Sequence, residues 1–365
     1  MGVILNIRRR VYEALTWGIP DYVPWIVKPN HLPRGEEERE LRAKGLGLSI
    51  PVSLFRVTIE GVECEQRTVG DYLVRVCRTL VGEVREVYRI NLPSEAGERS
   101  DRWKIEYYVK SSNDHRVIRY LYENMKVVPN YRDAMIIEKD LGGDGVVYTN
   151  GGYSPLMELI VKLMGFKSFS IEFKRNPGKI EELLELVWEK KLETYKIIAK
   201  SPIKIVLIGD NIDEVLIDPR LFKKYCLPFY QECSELLRKN NKIVGSHMDG
   251  RLRSLRDLIP KAGLDFIHGF TPPPGGNLSI SEVRKIWKDQ IAIWLNIPQI
   301  MFYWDNIKMR RYIIKLLRQA SPGYGFILGI TETVPPEYRM KGYEVITDTV
   351  NKFGKVPIKR ANVDL

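Results

Sequence analysis

Eight polar residues stand where apolar runs stop: Asp210 and Asn211 after Ile203 to Gly209, His247 and Asp249 after Lys242 to Gly245, His268 within Asp265 to Phe270, Asn296 after Ile291 to Leu295, and Thr331 with Glu332 after Gly325 to Ile330. Apolar runs of this length, separated by helical periodicity, read as buried parallel strands. Residues just past the C-terminal ends of such strands form the reactive face of an α/β protein. A carboxylate, an imidazole and amides on five consecutive strand ends are therefore read as one rim.

His247 and Asp249 are two apart, so on an extended backbone their side chains point the same way. With Glu332 they form a His/Asp/Glu set suited to Zn²⁺ or a harder divalent ion. The alternative for Asp249 is to orient His247 by accepting its ring N–H, or to cap the following helix. Asp210 is placed to act as a general acid, to accept from a substrate or to cap a helix. His268 is flanked by apolar residues and reads first as a core histidine. Together with Asn296 and Thr331 it is a candidate substrate contact. His31 and His115 are assigned to the surface, and the loop Thr271 to Gly276 is a candidate lid.

The elements that position these groups alternate regularly after residue 134. Strand Gly145 to Thr149, helix Pro155 to Met164, an extended piece Phe169 to Phe173 and the long helix Ile180 to Ala199 precede the first of the five runs. Asp218-Pro219 starts the next helix, with proline at its first position, and Pro228 breaks or restarts that helix. A helix over 252–260 follows, then one opened by a Ser279/Glu282 capping box, then one over Asn306 to Ala320. Repeated βα units give a parallel barrel or a doubly wound sheet.

Upstream the pattern differs. Met1 to Trp17 reads as a surface helix, Trp25 to Val27 as a strand and Lys28 to Glu40 as a polar loop overhanging the rim. From Ile50 to Lys110 the alternation has period two and is broken by polar turns, which indicates antiparallel hairpins. Residues 1–133 thus form an N-terminal segment with one barrel strand and a β-rich cap, and residues 134–365 the main βα body.

The chain has 365 residues, 44% of them hydrophobic and 28% charged, which suits one large soluble body. Its net charge of +11 is spread along the chain, densest at Arg8 to Arg10 and Lys308 to Arg311. No nucleic-acid recognition motif accompanies it, so nucleic acid is not an expected partner. The apolar runs fall short of the roughly 20 residues of a membrane span. Four cysteines without CxxC spacing predict a reducing, cytoplasmic setting without disulfides. Cys226 and Cys233, seven apart on one helix, are assigned to its core.

These residues resemble the uroporphyrinogen decarboxylase superfamily, which also contains cobalamin-dependent methyltransferases. The resemblance rests on Gly209-Asp210-Asn211, Asp218-Pro219 with Phe222 and Pro228, HMDG at 247–250, Gly263-Leu264-Asp265 and GITETVPPE at 329–337. It implies a (β/α)₈ TIM barrel with the β-rich N-terminal extension. The decarboxylase pattern of an Arg-rich N-terminal motif and a histidine in the last strand is missing here. Arg8 to Arg10 lacks the context, and Gly329-Ile330-Thr331 stands at the last strand. The zinc methyltransferase pattern His-x-Cys becomes His247-x-Asp249.

The resemblance implies methyl transfer to or from a corrinoid protein, with zinc or another divalent metal held by His247, Asp249 and Glu332 as the expected cofactor. The alternatives are cofactor-free decarboxylation of a uroporphyrinogen-like tetrapyrrole and a non-catalytic binding barrel. The expected partners are a small-molecule substrate, a corrinoid protein and a second copy in a homodimer.

Overall fold

The computed structural model describes residues 4–92 and 102–359; Met1 to Val3 of the predicted first helix lie outside them. Fourteen strands occur among the described residues, numbered here in chain order. Eight of them close a parallel barrel: β1 (Trp25–Val27), β2 (Leu46–Val52), β9 (Gly145–Asn150), β10 (Ile205–Leu207), β11 (Ile243–His247), β12 (Phe266–Phe270), β13 (Ala292–Asn296) and β14 (Phe326–Gly329). Around the barrel the order is β1-β14-β13-β12-β11-β10-β9-β2, so the first and last strands of the barrel are neighbours. This is the (β/α)₈ TIM barrel expected from the βα alternation.

Strand alternation divides the core in two. Ile205 and Leu207 point inward with Ile26, Val146, Phe266, Trp294 and Ile327, while Val206 packs outward against the helices. The helix Ile7–Leu15 sends Ile7, Val11, Ala14 and Leu15 into the inward cluster and so plugs the N-terminal end. A plugged base leaves the C-terminal end as the open mouth.

The remaining strands build the cap. β3 (Phe55–Ile59) pairs antiparallel with β8 (Met125–Pro129). β4 (Glu63–Val69), β5 (Tyr72–Thr79), β6 (Gly82–Arg89) and β7 (Trp103–Glu106) form a four-stranded antiparallel sheet.

Several expectations are corrected. The N-terminal segment contributes a second barrel strand, β2, which runs seven residues and is buried only at its start, so it reads as the first cap hairpin. The predicted loop Lys28 to Glu40 contains the start of a helix, Glu36–Ala43, whose first turn carries three glutamates that favour a helix N-terminus. Phe169 to Phe173 is not extended but part of the helix Gly165–Arg175, where the two rings stack 5.4 Å apart at i,i+4 spacing. Residues 252–260 form turns and the beginning of a short 3₁₀ segment, Ile259–Ala262, not a regular helix. There Asn277 Oδ1 accepts from the amides of Leu252 and Arg253, holding the backbone out of helical register.

Cys64 and Cys77, directly opposite on β4 and β5, form a disulfide, against the expectation of none. The pairing is set by hairpin register, which cysteine spacing does not reveal. Cys226 and Cys233 are buried and free, as expected. His31 and His115 are buried, at 3% and 8% exposure, instead of lying on the surface. The helix after Asp218 passes through a π-turn at Phe222–Cys226 and restarts at Leu227 beside Pro228.

Candidate active site

A cleft of about 650 Å³ opens at the barrel mouth. Its floor is made by strand ends: Asn150 of β9, Leu207 with Gly209, Asp210 and Asn211 after β10, His247 of β11 and His268 of β12. Phe55, Val57 and Met125 from the β3/β8 ribbon supply an apolar wall. The far wall carries Glu158 and Lys162 from the π-helical segment Glu158–Met164, and Lys190 and Lys191 from the helix Pro177–Lys200.

His247 and His268 are register partners on adjacent parallel strands, and their Nδ1 atoms lie 2.9 Å apart. His268 is boxed by Tyr148 and Trp294, with ring centroids 5.8 and 4.7 Å away. Its burial, reinforced by the charges of His247 and Lys28, holds its pKa well below the ordinary value and keeps the ring neutral. Asp249 Oδ2 lies 3.4 Å from His247 Nε2. Burial pushes the Asp249 carboxyl up, but the hydrogen bond and charge of His247 outweigh it and hold it below its usual range. With Nε2 directed at Asp249, the Nδ1 of His247 is left to meet the Nδ1 of His268, so one ring donates and the other accepts.

The bulge in β12 positions this pair. The β12/β13 register slips between His268 and Phe270, and Gly269 sits at φ +80°. A Cβ there would lie 2.6 Å from both Cε1 and Nδ1 of His247. Only glycine allows the backbone so close to the imidazole.

Asp210 is buried at 1% exposure. Its Oδ1 accepts from Ser154 N and its Oδ2 from Tyr230 Oη, both at 2.6 Å. Burial raises its pKa to about 6, against the hydrogen bonds from Ser154 and Tyr230 and the charge of Lys191, which lower it. Tyr230 Oη is in turn 3.4 Å from Ser246 Oγ. A carboxyl poised near neutrality at a cleft floor is suited to proton transfer.

Asn296, Thr331 and Glu332 are placed elsewhere and do not line the cleft. Asn296 is fully buried; it donates to Thr271 Oγ1 at 3.1 Å and accepts from Thr331 N at 2.9 Å, tying three strand-end loops together. Glu332 Oε2 accepts from Gln299 N at 2.6 Å, so the expected His247/Asp249/Glu332 set does not form. Among the described residues no group of three His, Cys, Asp or Glu side chains converges on one point. The residues present do not fit a three-ligand metal, and Asp249 takes the orienting role that the two-residue spacing equally allowed.

The lysines were missed by sequence reasoning because they lie in the middle of helices, where Lys reads as a solvated face. Lys191 Nζ is 2.9 Å from Glu158 Oε2, and Lys190 Nζ is 3.0 Å from Glu193 Oε1. Tyr122 donates to the other oxygen of Glu158 at 3.2 Å. Lys162 lies over the Tyr153 ring, 5.6 Å from its centroid. The sequence signal available was Gly151-Gly152, since Gly152, at φ +89°, leaves room for Lys191 Nζ where a Cβ would sit 2.8 Å from it.

The family profile of uroporphyrinogen decarboxylase (URO-D) matches residues 104–353. The chain belongs to the URO-D family. The profile covers the second half of the cap and every barrel strand from β9 onward, including the HMDG segment at the cleft. Among solved structures, a methyltransferase from Methanosarcina mazei is similar over 96% of this chain and 99% of its own, at 13% identity and a TM-score of 0.58. That likeness is one of fold. Lesser likenesses include a GH5 cellulase affiliated with Bacteroidetes, at 8% identity, 94% coverage of each chain and a TM-score of 0.42. No curated protein matches. Among the described residues, no helix of this URO-D family member is long and apolar enough to cross a membrane.

Proposed function

We propose that this URO-D family enzyme is a methyltransferase that takes a methyl group from a small anionic methyl ether and delivers it to a corrinoid protein. The observation that carries this reading is the polarity of the cleft. Proton-bearing groups, Asp210 and the His247/His268 pair, lie at the floor, and lysines line the far wall. The name of the Methanosarcina mazei protein that shares this fold agrees with methyl transfer.

A reduced corrinoid held by the partner protein would supply the nucleophile that accepts the methyl group. The C–O bond breaks with its electron pair left on oxygen, and that oxygen needs a proton. Asp210, with its pKa near 6, is the donor assigned to it. His247, held by Asp249 at Nε2 and by His268 at Nδ1, has both ring nitrogens engaged and so shapes the cleft floor beside the substrate. The Lys162 side of the cleft holds the anionic end. A methylammonium substrate fits this wall poorly, since like charges repel across a partly desolvated cleft.

Four lysines, two of them matched to Glu158 and Glu193, and no arginine among the described lining residues make a poor receptor for a tetrapyrrole bearing eight carboxylates. The test is direct. Purified protein is mixed anaerobically with a methoxylated carboxylic acid and reduced cobalamin, and the cobalt spectrum is followed. A methyl-cobalt spectrum is expected. No methyl transfer, together with release of CO₂ from a porphyrinogen, would replace this reading with decarboxylation.

A further inference from the structure

A second cavity, of about 240 Å³, lies between the start of the helix His115–Glu123 and the helix Pro177–Lys200. It shares no lining residue with the cleft at the barrel mouth. We propose that it binds a phosphate-bearing small molecule.

Its wall contains Ser112, His115, Arg116, Arg119, Lys179 and Glu182. His115 is 8% exposed, and neither of its ring nitrogens has a hydrogen-bond partner. A buried imidazole with an empty donor and an empty acceptor destabilises the fold until a partner arrives. A phosphate oxygen offers an acceptor for the ring N–H.

The charges agree. Arg119 is already held by Glu182 at 2.9 Å and lies 3.8 Å from Glu123. Arg116 and Lys179 have no carboxylate within ion-pair distance among the described residues and remain available. The other acidic groups near His115 are engaged: Asp114 Oδ2 accepts from the amides of Lys110 and Ser111, and Glu172 Oε2 accepts from Asn176 Nδ2 at 3.0 Å. Because Asp114 is turned toward the preceding loop, it gives the helix no side-chain cap. The Val117 amide is taken by the Asp114 carbonyl, which leaves the amides of His115 and Arg116 without a side-chain cap and favours an anion there.

The burial that depresses the pKa of His115, with Lys179 adding to it and Glu172, Asp114 and Glu182 opposing it, gives the site its own reporter. A bound oxyanion raises that pKa. The full chain is titrated calorimetrically with inorganic phosphate, glycerol 3-phosphate and acetate, while the His115 imidazole is followed by NMR. Both phosphates are expected to bind, with glycerol 3-phosphate tighter if the cavity accepts the organic body, and acetate to bind at least about tenfold more weakly, because Arg matches phosphate in bidentate geometry. In the Arg116→Ser/Lys179→Met double variant, both changed residues being exposed, phosphate affinity is expected to fall about tenfold or more and the His115 shift to vanish. Phosphate binding that is absent in the parent chain, or equal in the double variant, overturns the proposal.

Discussion

His247 and His268 share one hydrogen bond, Nδ1 to Nδ1 at 2.9 Å, so one ring must donate while the other accepts. Two adjacent strands in register, a bulge and a neighbouring carboxylate all serve that single contact. It makes Gly269 a positioning residue for His247. Gly269→Ala forces a Cβ into the imidazole and strains a backbone at φ +80°. We expect a loss of about 1–3 kcal/mol in stability and a fall in turnover of about 100-fold. Chemical denaturation and single-turnover kinetics measure both, and unchanged kinetics would show that the pair is not needed.

Asp210 sets the pH dependence of the proposed reaction. With a pKa near 6 it carries its proton below that pH and loses it above. Single-turnover rates should therefore fall as pH rises through about 6, with the slope of one proton. Asp210→Asn should remove that limb and lower the rate by roughly 10²–10⁴. A limb that survives in the variant belongs to another group.

Stability answers to the same groups with opposite signs. His31 is depressed to about 4 by burial and by the charges of Lys28 and Arg339. Between pH 6.5 and 4 the unfolded chain binds a proton at this position that the folded chain does not, so stability drops as pH falls, by on the order of 3 kcal/mol in all. His268 acts in the same direction. Asp210 acts in the other: between about pH 6 and 3.8 the folded chain keeps a proton that the unfolded carboxylate has released. Asp210→Asn should therefore steepen the acid loss of stability below pH 6. Urea midpoints measured across this range test it, and parallel curves for parent and variant would refute it.

The lysines of the far wall divide by their partners. Lys162 faces a tyrosine ring, whereas Lys190 is matched to Glu193. Lys162→Met is expected to raise KM for an anionic substrate about tenfold at constant kcat, and Lys190→Met to change it by less than about threefold. Steady-state kinetics across an ionic-strength series separates the two, because the effect at Lys162 should shrink as salt screens it.

The disulfide makes a chemical count. Thiol titration of the denatured, unreduced chain should find two thiols, Cys226 and Cys233, and reduction should bring in Cys64 and Cys77. Four thiols before reduction would contradict the β4/β5 pairing.

The barrel was legible in the sequence because buried parallel strands and amphipathic helices leave different periods, and because Asp210, His247 and His268 end or sit within such runs. Asp249 was legible only to the level of a pair with His247, since spacing alone cannot separate a shared ion from an orienting hydrogen bond. Glu332 and Asn296 failed as cleft residues for one reason: a strand end fixes which rim a side chain joins, not which side of the rim. Lys162 and Lys190 were invisible because nothing local distinguishes a lysine facing water from one facing a cleft, and Lys191 was marked only indirectly, by the room that Gly152 leaves for it. The Cys64–Cys77 bond depended on hairpin register, a property of two strands read together.

β2 lies between β1 and β9 in the barrel, yet residues 53–144 separate it from β9 along the chain. β1 must likewise wait for β14, almost at the other end. While the polypeptide is being made, its first two staves therefore form a ribbon whose outer edges stay open until much later material arrives, and open edges invite wrong partners. The helix Ile7–Leu15, which emerges even earlier, has no finished barrel to plug at that stage, so the base of the molecule is among the last parts to be sealed.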